Sequence, residues 1–456
     1  MRRVVKVSRI RIIITIIVVV LTTLLTGCTG KEPNEIAYVV ALGIDSTDDG
    51  NYKITIQYAN TTQISGGASE SGGKAGSEIV DNVTIEAPNI YAGVGLANNI
   101  VSKSFSMSHA KLIVFSKEIA EKGVKDMIET LVRSEEIRPD VFIAVANTTA
   151  NDYLTSVNPE MEVNPAQYYQ LIYQKNQLVG IPDGQLREFF TGLYTDNYDS
   201  ILPIAGVIEG SGGNSQNDDK GQSKDGQNEG SEGSSESLDS FESKSSNEKD
   251  ENEKEKDAEK NTSKYEYDIK NYIGGETTIE KKNKAEAIGA AVFEKDKMVG
   301  ELGEVETEIC KMLKGDYTYS YLTYYNNDTP DIPITVKTTQ QKKPKYKIDT
   351  DKKTVDIELY IESDLYSLPA DYNVENKIED FERDVANYTS SACTEFINNF
   401  TKKYNSDILK LNEKVKYKFL TNNQYNWFKK NVGWSEYKFS VCTNFKVRRT
   451  GLIVRE

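Results

Sequence analysis

The sequence predicts an α+β (mixed α/β) protein of three domains, each a mixed or antiparallel sheet with helices packed on it. Three observations carry this. Val355, Ile357, Leu359 and Ile361 alternate with Asp356, Glu358, Tyr360 and Glu362, the period-two pattern of a half-buried strand. Ile378, Phe381, Val385, Tyr388, Ala392, Phe396, Phe400 and Tyr404 step by three and four along one stripe, predicting a long helix over residues 374–404. Apolar residues 112–115, an amphipathic stretch over 117–133 and apolar residues 141–146 read as strand, helix, strand. The last strand is apolar on both faces, as a buried central strand would be.

At the start, Arg2, Arg3, Lys6, Arg9 and Arg11 stand with no acid before an apolar run over 12–25, broken only by threonines. A basic start, a short apolar run and small residues before a cut make a secretory signal. The run is about 14 residues, short of the roughly 20 that a spanning helix needs. It ends in Leu25-Thr26-Gly27-Cys28, which reads as a lipobox. Residues 1–27 are thus expected to be a signal peptide. Cys28 is the expected lipidation site, bearing a diacylglyceryl thioether and an N-acyl group. Two acyl signals anchor stably where a single chain is marginal. A polar tether, Thr29 to Glu35, follows.

The mature chain opens on a predicted hairpin, strands 36–44 and 52–58 about Asp48-Asp49-Gly50, where glycine accepts positive φ. Residues 65–77 are Gly/Ser-rich and read as a mobile loop. Ile90, Val94, Ala97 and Val101 share one helical face. Residues 165–198 are aromatic and irregularly helical, and 201–208 form a strand. Residues 211–263 hold 15 Asp/Glu and 7 Lys, with Leu238 and Phe241 the only large apolar side chains. Such a segment buries too little apolar surface to offset its ordering entropy, so a disordered insertion is expected. Order returns with strands over 287–293 and 298–302 about the turn Lys295-Asp296-Lys297, then a helix over 304–314. The final strand alternates Tyr437, Phe439, Val441, Thr443, Phe445 and Val447 with polar residues. The expected domains are 28–160, 161–316 interrupted by 211–263, and 317–456. The last is expected to lay its long helix across an antiparallel sheet.

Composition narrows function. Formal charge is −15 with no basic stripe, which argues against nucleic acid as a partner. Beyond Cys28, Cys310, Cys393 and Cys442 form no CxxC pair, so a zinc knuckle is excluded. They read as small buried residues, with one disulfide among them left open. His109 is the only histidine, which rules out a His-rich metal site. No GxSxG elbow, P-loop or strand-linked GxGxxG occurs, so no catalytic, cofactor or metal residue is nominated. His109 is expected to make a structural hydrogen bond at the start of a strand.

Several blocks follow the lipobox in a set order. They are Leu42-Gly43-Ile44-Asp45, then Ser108-His109-Ala110-Lys111-Leu112-Ile113-Val114, then Arg133 with Glu136-Ile137-Arg138-Pro139-Asp140. Ala290-Ala291-Val292-Phe293 comes next, with Lys297-Met298-Val299-Gly300-Glu301-Leu302. Trp427, Trp434 and Val447-Arg448-Arg449-Thr450-Gly451 close the series. In this order and spacing the sequence resembles the Ger(x)C family, the lipoprotein C subunits of spore germinant receptors. The resemblance covers nearly the whole mature chain outside 211–263, an insertion that exceeds the usual family length. It implies three α/β domains on the outer face of the spore's inner membrane, beside a membrane-embedded A subunit and a multi-span B subunit. It implies no enzymatic activity, and no ligand-binding residues carry over.

Arg133, Arg138 and Arg449 are the candidate partner contacts, since arginine is favoured at interfaces. Salt bridges within each domain are the alternative for all three. Asp45 and Gly300 are expected to serve turns. Two other readings are a solute-binding lipoprotein of a transporter, which needs two lobes about a cleft, and a hydrolase with a carboxylate pair.

Overall fold

The structure is a computed structural model that describes residues 13–18, 35–59, 80–158, 164–174, 180–195, 197–208, 271–277, 283–326, 329–367, 377–404 and 406–450. Cys28, the expected loop over 65–77 and the expected insertion over 211–263 lie outside the described residues.

β1 (Ile36–Ser46) and β2 (Tyr52–Ala59) pair antiparallel, as the Asp-Gly turn predicts. Gly50 has φ +80° there. β3 (Val80–Ala87) joins β2. α1 (Ile90–Ala97) is capped by Asn89, whose Oδ1 accepts from Ala92 N at 2.9 Å. β4 (Ser104–Ser106) and β5 (Leu112–Ser116) run parallel to β1. The single helix expected over 117–133 is two, α2 (Lys117–Lys122) and α3 (Lys125–Arg133). Gly123 parts them at φ +122°, which no helical residue adopts. β6 (Phe142–Ala146) is parallel to β5, and α4 (Ala150–Ser156), α5 (Pro165–Gln174) and α6 (Leu186–Thr195) follow. β7 (Ile201–Val207) returns parallel to β6. β8 (Ala285–Glu294) and β9 (Lys297–Leu302) complete the sheet antiparallel, and α7 (Glu304–Lys314) stops at Gly315, φ +83°.

The order is β3-β2-β1-β5-β6-β7-β8-β9, with β4 beside β1. The boundary expected near residue 160 therefore falls inside one sheet, because Val145 of β6 pairs with Ile204 of β7. Hydrophobic periodicity marks strands but not their neighbours. Alternate side chains enter two cores on opposite faces. Ile113, Phe115, Ile143 and Val145 face α1, α2, α3 and α6, whereas Leu112, Val114, Phe142 and Ala144 face α4 and α5.

The second sheet holds β10 (Tyr319–Asn326), β11 (Thr329–Gln340), β12 (Lys345–Asp349) and β13 (Thr354–Ser367) in the order β10-β11-β13-β12, all antiparallel. α8 (Ile378–Tyr404), α9 (Leu411–Val415) and α10 (Asn422–Asn431) lead to β14 (Lys438–Arg449). β14 pairs with β13 in parallel, so this sheet is mixed rather than antiparallel as expected. The cause is the length of α8. Its 27 residues reach about 40 Å at 1.5 Å each, returning the chain to where β13 begins, so Lys438 lies beside Thr354.

One apolar core joins the two sheets. Ile201, Val292 and Leu302 of the first pack with Phe396 and Phe400 of α8 and with Ile357 and Phe439 of the second. Cys310 on α7 and Cys393 on α8 lie in it as free buried thiols. Cys442 is also free but exposed, contrary to expectation, because it takes the outward step of β14. No described helix is long and apolar enough to cross a membrane.

Candidate functional site at the seam between the sheets

Beside this core, polar groups close the seam. The loop leading into β7 places Asp199 opposite the connection from α8 to α9. Asp199 Oδ2 accepts from Asp407 N at 2.9 Å, and Asp199 N donates to Asp407 O at 3.2 Å. Asp199 Oδ1 accepts from Lys295 N at 3.2 Å in the β8–β9 turn. One carboxylate thus ties together three segments far apart in sequence.

Asp407 is buried and caps α9, its oxygens accepting from Leu411 N at 2.7 Å and Asn412 N at 2.8 Å. Burial pushes its carboxyl up to about 7; the two amide hydrogen bonds work against this and the Asp199 charge adds to it. Lys410, three residues on, holds positive φ of 56°. Its ammonium pairs with Glu188 of α6 and lies 4.3 Å from the Tyr198 ring centroid. Within α7, burial likewise raises Glu308 to about 7, opposed by hydrogen bonds from Ser320 and Tyr317.

Two clefts open here. One, ≈ 730 Å³, lies among Tyr198, Asp199, Lys295, Asn412, Lys430 and Trp434. The other, ≈ 640 Å³, is lined by Asp183, Glu188, Lys314, Tyr317, Lys337 and Lys410. Both are polar and mix both signs of charge. Among the described residues no group of three His, Cys, Asp or Glu is placed to hold a metal ion. The carboxylates of Asp199 and Asp407 are engaged by backbone amides, and that of Glu188 by the Lys410 ammonium. The arrangement is suited to fixing one sheet against the other.

The arginines singled out by sequence sit elsewhere. Arg133, in the last turn of α3, pairs with Glu129 at 3.2 Å. Arg138 grips Asp140 with two hydrogen bonds of 2.9 Å. Arg449 ends β14 on the second sheet, exposed and without an ion pair among the described residues. The structure brings neither Arg133 nor Arg138 onto the sheet that bears Arg449. His109 is exposed; its Nδ1 is 3.0 Å from Ser108 Oγ and its ring meets Tyr38 edge-on at 4.8 Å.

Two residues assigned to turns do other work. Asp45 caps α4, its carboxylate accepting from Ala150 N at 2.6 Å and Asn151 N at 3.0 Å. Its neighbour Gly43 lets that helix approach, since a Cβ there would stand 3.1 Å from Ala150 Cβ. Gly300 lies within β9 beneath the ring of Tyr404, where a Cβ would fall 2.3 Å from its atoms. The Leu-Gly-Ile-Asp block is thus a helix-docking device, and Gly300 joins the first sheet to α8. Sequence reasoning missed Asp199 and Asp407 entirely: no periodic pattern marks partners 208 residues apart.

Two family models match the chain. "Spore germination protein N-terminal domain" covers residues 30–207, and "Spore germination B3/ GerAC like, C-terminal" covers residues 288–451. Spore germination protein KC of Bacillus subtilis (strain 168) is 26% identical over 174 residues, 35% of this chain and 42% of that protein. Spore germination protein GerQC of Bacillus cereus is 24% identical over 196 residues, 41% of this chain and 50% of that protein. The alignments therefore span half or less of these relatives. The crystal structure of the GerBC protein superposes with a TM-score of 0.48 at 15% identity, over 89% of this chain and 96% of that chain. Matched by the family's models in both halves, which together take in most of its length, this chain belongs to the Ger(x)C family of spore germination proteins.

Proposed function

We propose that the protein is the lipid-anchored C subunit of a spore germinant receptor, a non-catalytic interaction subunit needed for nutrient-triggered germination. It stands on the outer face of the spore's inner membrane, beside the receptor's A and B subunits. The observation that supports this most is a lipobox ending at Cys28 directly ahead of a span that matches the family from residue 30. Confinement to the membrane plane raises effective concentration, so modest contacts with neighbouring subunits are enough. The seam favours a stationary body over a catalyst, because its central carboxylates are consumed by hydrogen bonds that hold the sheets together.

The test is genetic. Deleting the gene abolishes the response to at least one nutrient. Normal germination to every nutrient, in a strain without a second copy of the gene, overturns the reading. Cys28→Ala removes lipid label from the protein and slows germination, because the effective concentration that tethering supplies is lost. Unchanged labelling and rate overturn the anchor.

A further inference from the structure

The strands of the first sheet set up an unexpected coincidence. β1, β4, β5, β6 and β7 are mutually parallel, so all begin at one end of the sheet. Ala41, Leu112 and Phe142 lie level across it. β1 begins at Ile36, about 16 Å further out at 3.3 Å per residue. Ile36 pairs with Ser104, which places the turn before β4 at that same end. The tip of this turn is Ile100, 70% exposed.

The other sheet contributes to this end as well. α10 packs on the loop that leads into β7: Tyr425 OH and Lys429 Nζ both lie 3.2 Å from Asn197 Oδ1. The segment that carries α10 leaves Leu420 94% and Trp427 63% exposed. Residues 410–431 hold six lysines and one acid in a chain of net charge −15. Lys416 and Lys430 are exposed among them. Exposed aliphatic and indole groups on a segment that also carries Lys416 and Lys430 fit the boundary between lipid headgroups and acyl chains, and the basic excess of that segment fits anionic headgroups.

We infer that the end of the nine-stranded sheet where its parallel strands begin is a docking face for an anionic lipid surface. Ile100, Leu420 and Trp427 insert, and Lys416 and Lys430 meet the headgroups. This rests on the reading of Cys28 as the anchor, because the tether of residues 29–35 spans at most about 25 Å and so brings Ile36 close to the bilayer. The anchor fixes distance, and the face fixes orientation.

The experiment uses the processed chain from residue 28 with Cys28→Ser, so that no acyl chain is attached. It is mixed with vesicles of phosphatidylcholine alone or with one third phosphatidylglycerol. Binding to the anionic vesicles is expected to be at least about tenfold tighter. Trp434 is buried, so Trp434→Phe leaves Trp427 as the only indole, and its emission should shift to the blue and be quenched by brominated lipid. Lys416→Glu with Lys430→Glu abolishes the preference for anionic lipid, and Ile100→Asp weakens binding, both at unchanged unfolding midpoint. Equal binding to the two vesicles, or binding that these substitutions leave alone, overturns the docking face. Retention only on membranes that contain other receptor subunits also overturns it, in favour of a protein partner. The anchor fails separately, when the unaltered chain carries no lipid while the vesicle binding persists.

Discussion

Asp407 shows how one side chain couples the seam to pH. Its ordinary value is 3.8 and burial raises it to about 7 in the folded protein. The folded chain holds that proton more tightly than the unfolded chain, so the associated stability is complete below pH 3.8 and is lost as pH rises to about 7. Glu308, raised from 4.5 to about 7, acts in the same direction. Asp407→Asn stays neutral throughout. Its urea midpoint relative to the unaltered protein should therefore improve steadily from pH 4.5 to 7.5, and parallel curves would refute the assignment. Asp45 offers a second test at this scale. Asp45→Ala leaves the Ala150 and Asn151 amides of α4 without their acceptor, while Thr149 still caps Asp152 N, and should lower stability by about 1–2 kcal/mol, read from urea unfolding at constant m-value.

At the scale of elements, glycine decides which pieces approach. Gly300→Ala drives a methyl into the ring of Tyr404 and should destabilise by about 1–3 kcal/mol. Adding Tyr404→Ala should cost less than the two single changes combined, since the clash is then gone; additive losses in a double-mutant cycle would refute direct packing. The elements most legible in the sequence were those with the strongest periodicity. β13 and β14 bury alternate residues, and α8 buries Phe381, Val385, Phe396 and Phe400 along its predicted stripe. β3 and β11 are hard to see in the sequence, because β3 carries Asp81, Asn82 and Glu86 among its apolar positions and β11 contains Pro330 and Pro333. α2 and α3 look like one helix in the sequence because both stretches keep helical spacing and the break depends on the φ of Gly123.

For the whole molecule, the apolar core that runs from β7–β9 through α7 and α8 to the second sheet predicts a single cooperative unit. Thermal unfolding of a Trp427→Phe variant followed by far-ultraviolet circular dichroism, which reports both sheets, should coincide with the fluorescence of Trp434, its one remaining indole, which packs against the second sheet. Two separated transitions would show that the sheets melt independently.

The sequence alone determined that the chain is α+β, where its most periodic strands and helices lie, and, through the order of several short blocks, the family to which it belongs. These are local properties: side-chain period, turn chemistry and spacing along one chain. The tertiary structure alone decided that strands on either side of residue 160 share a sheet and that β14 runs parallel to β13. It also decided that Asp45 caps a helix, and that Asp199 and Asp407 meet at the seam. Each of those depends on hydrogen bonds or contacts between residues distant in sequence. Hydrophobic period says which way a side chain faces, but not what it will face.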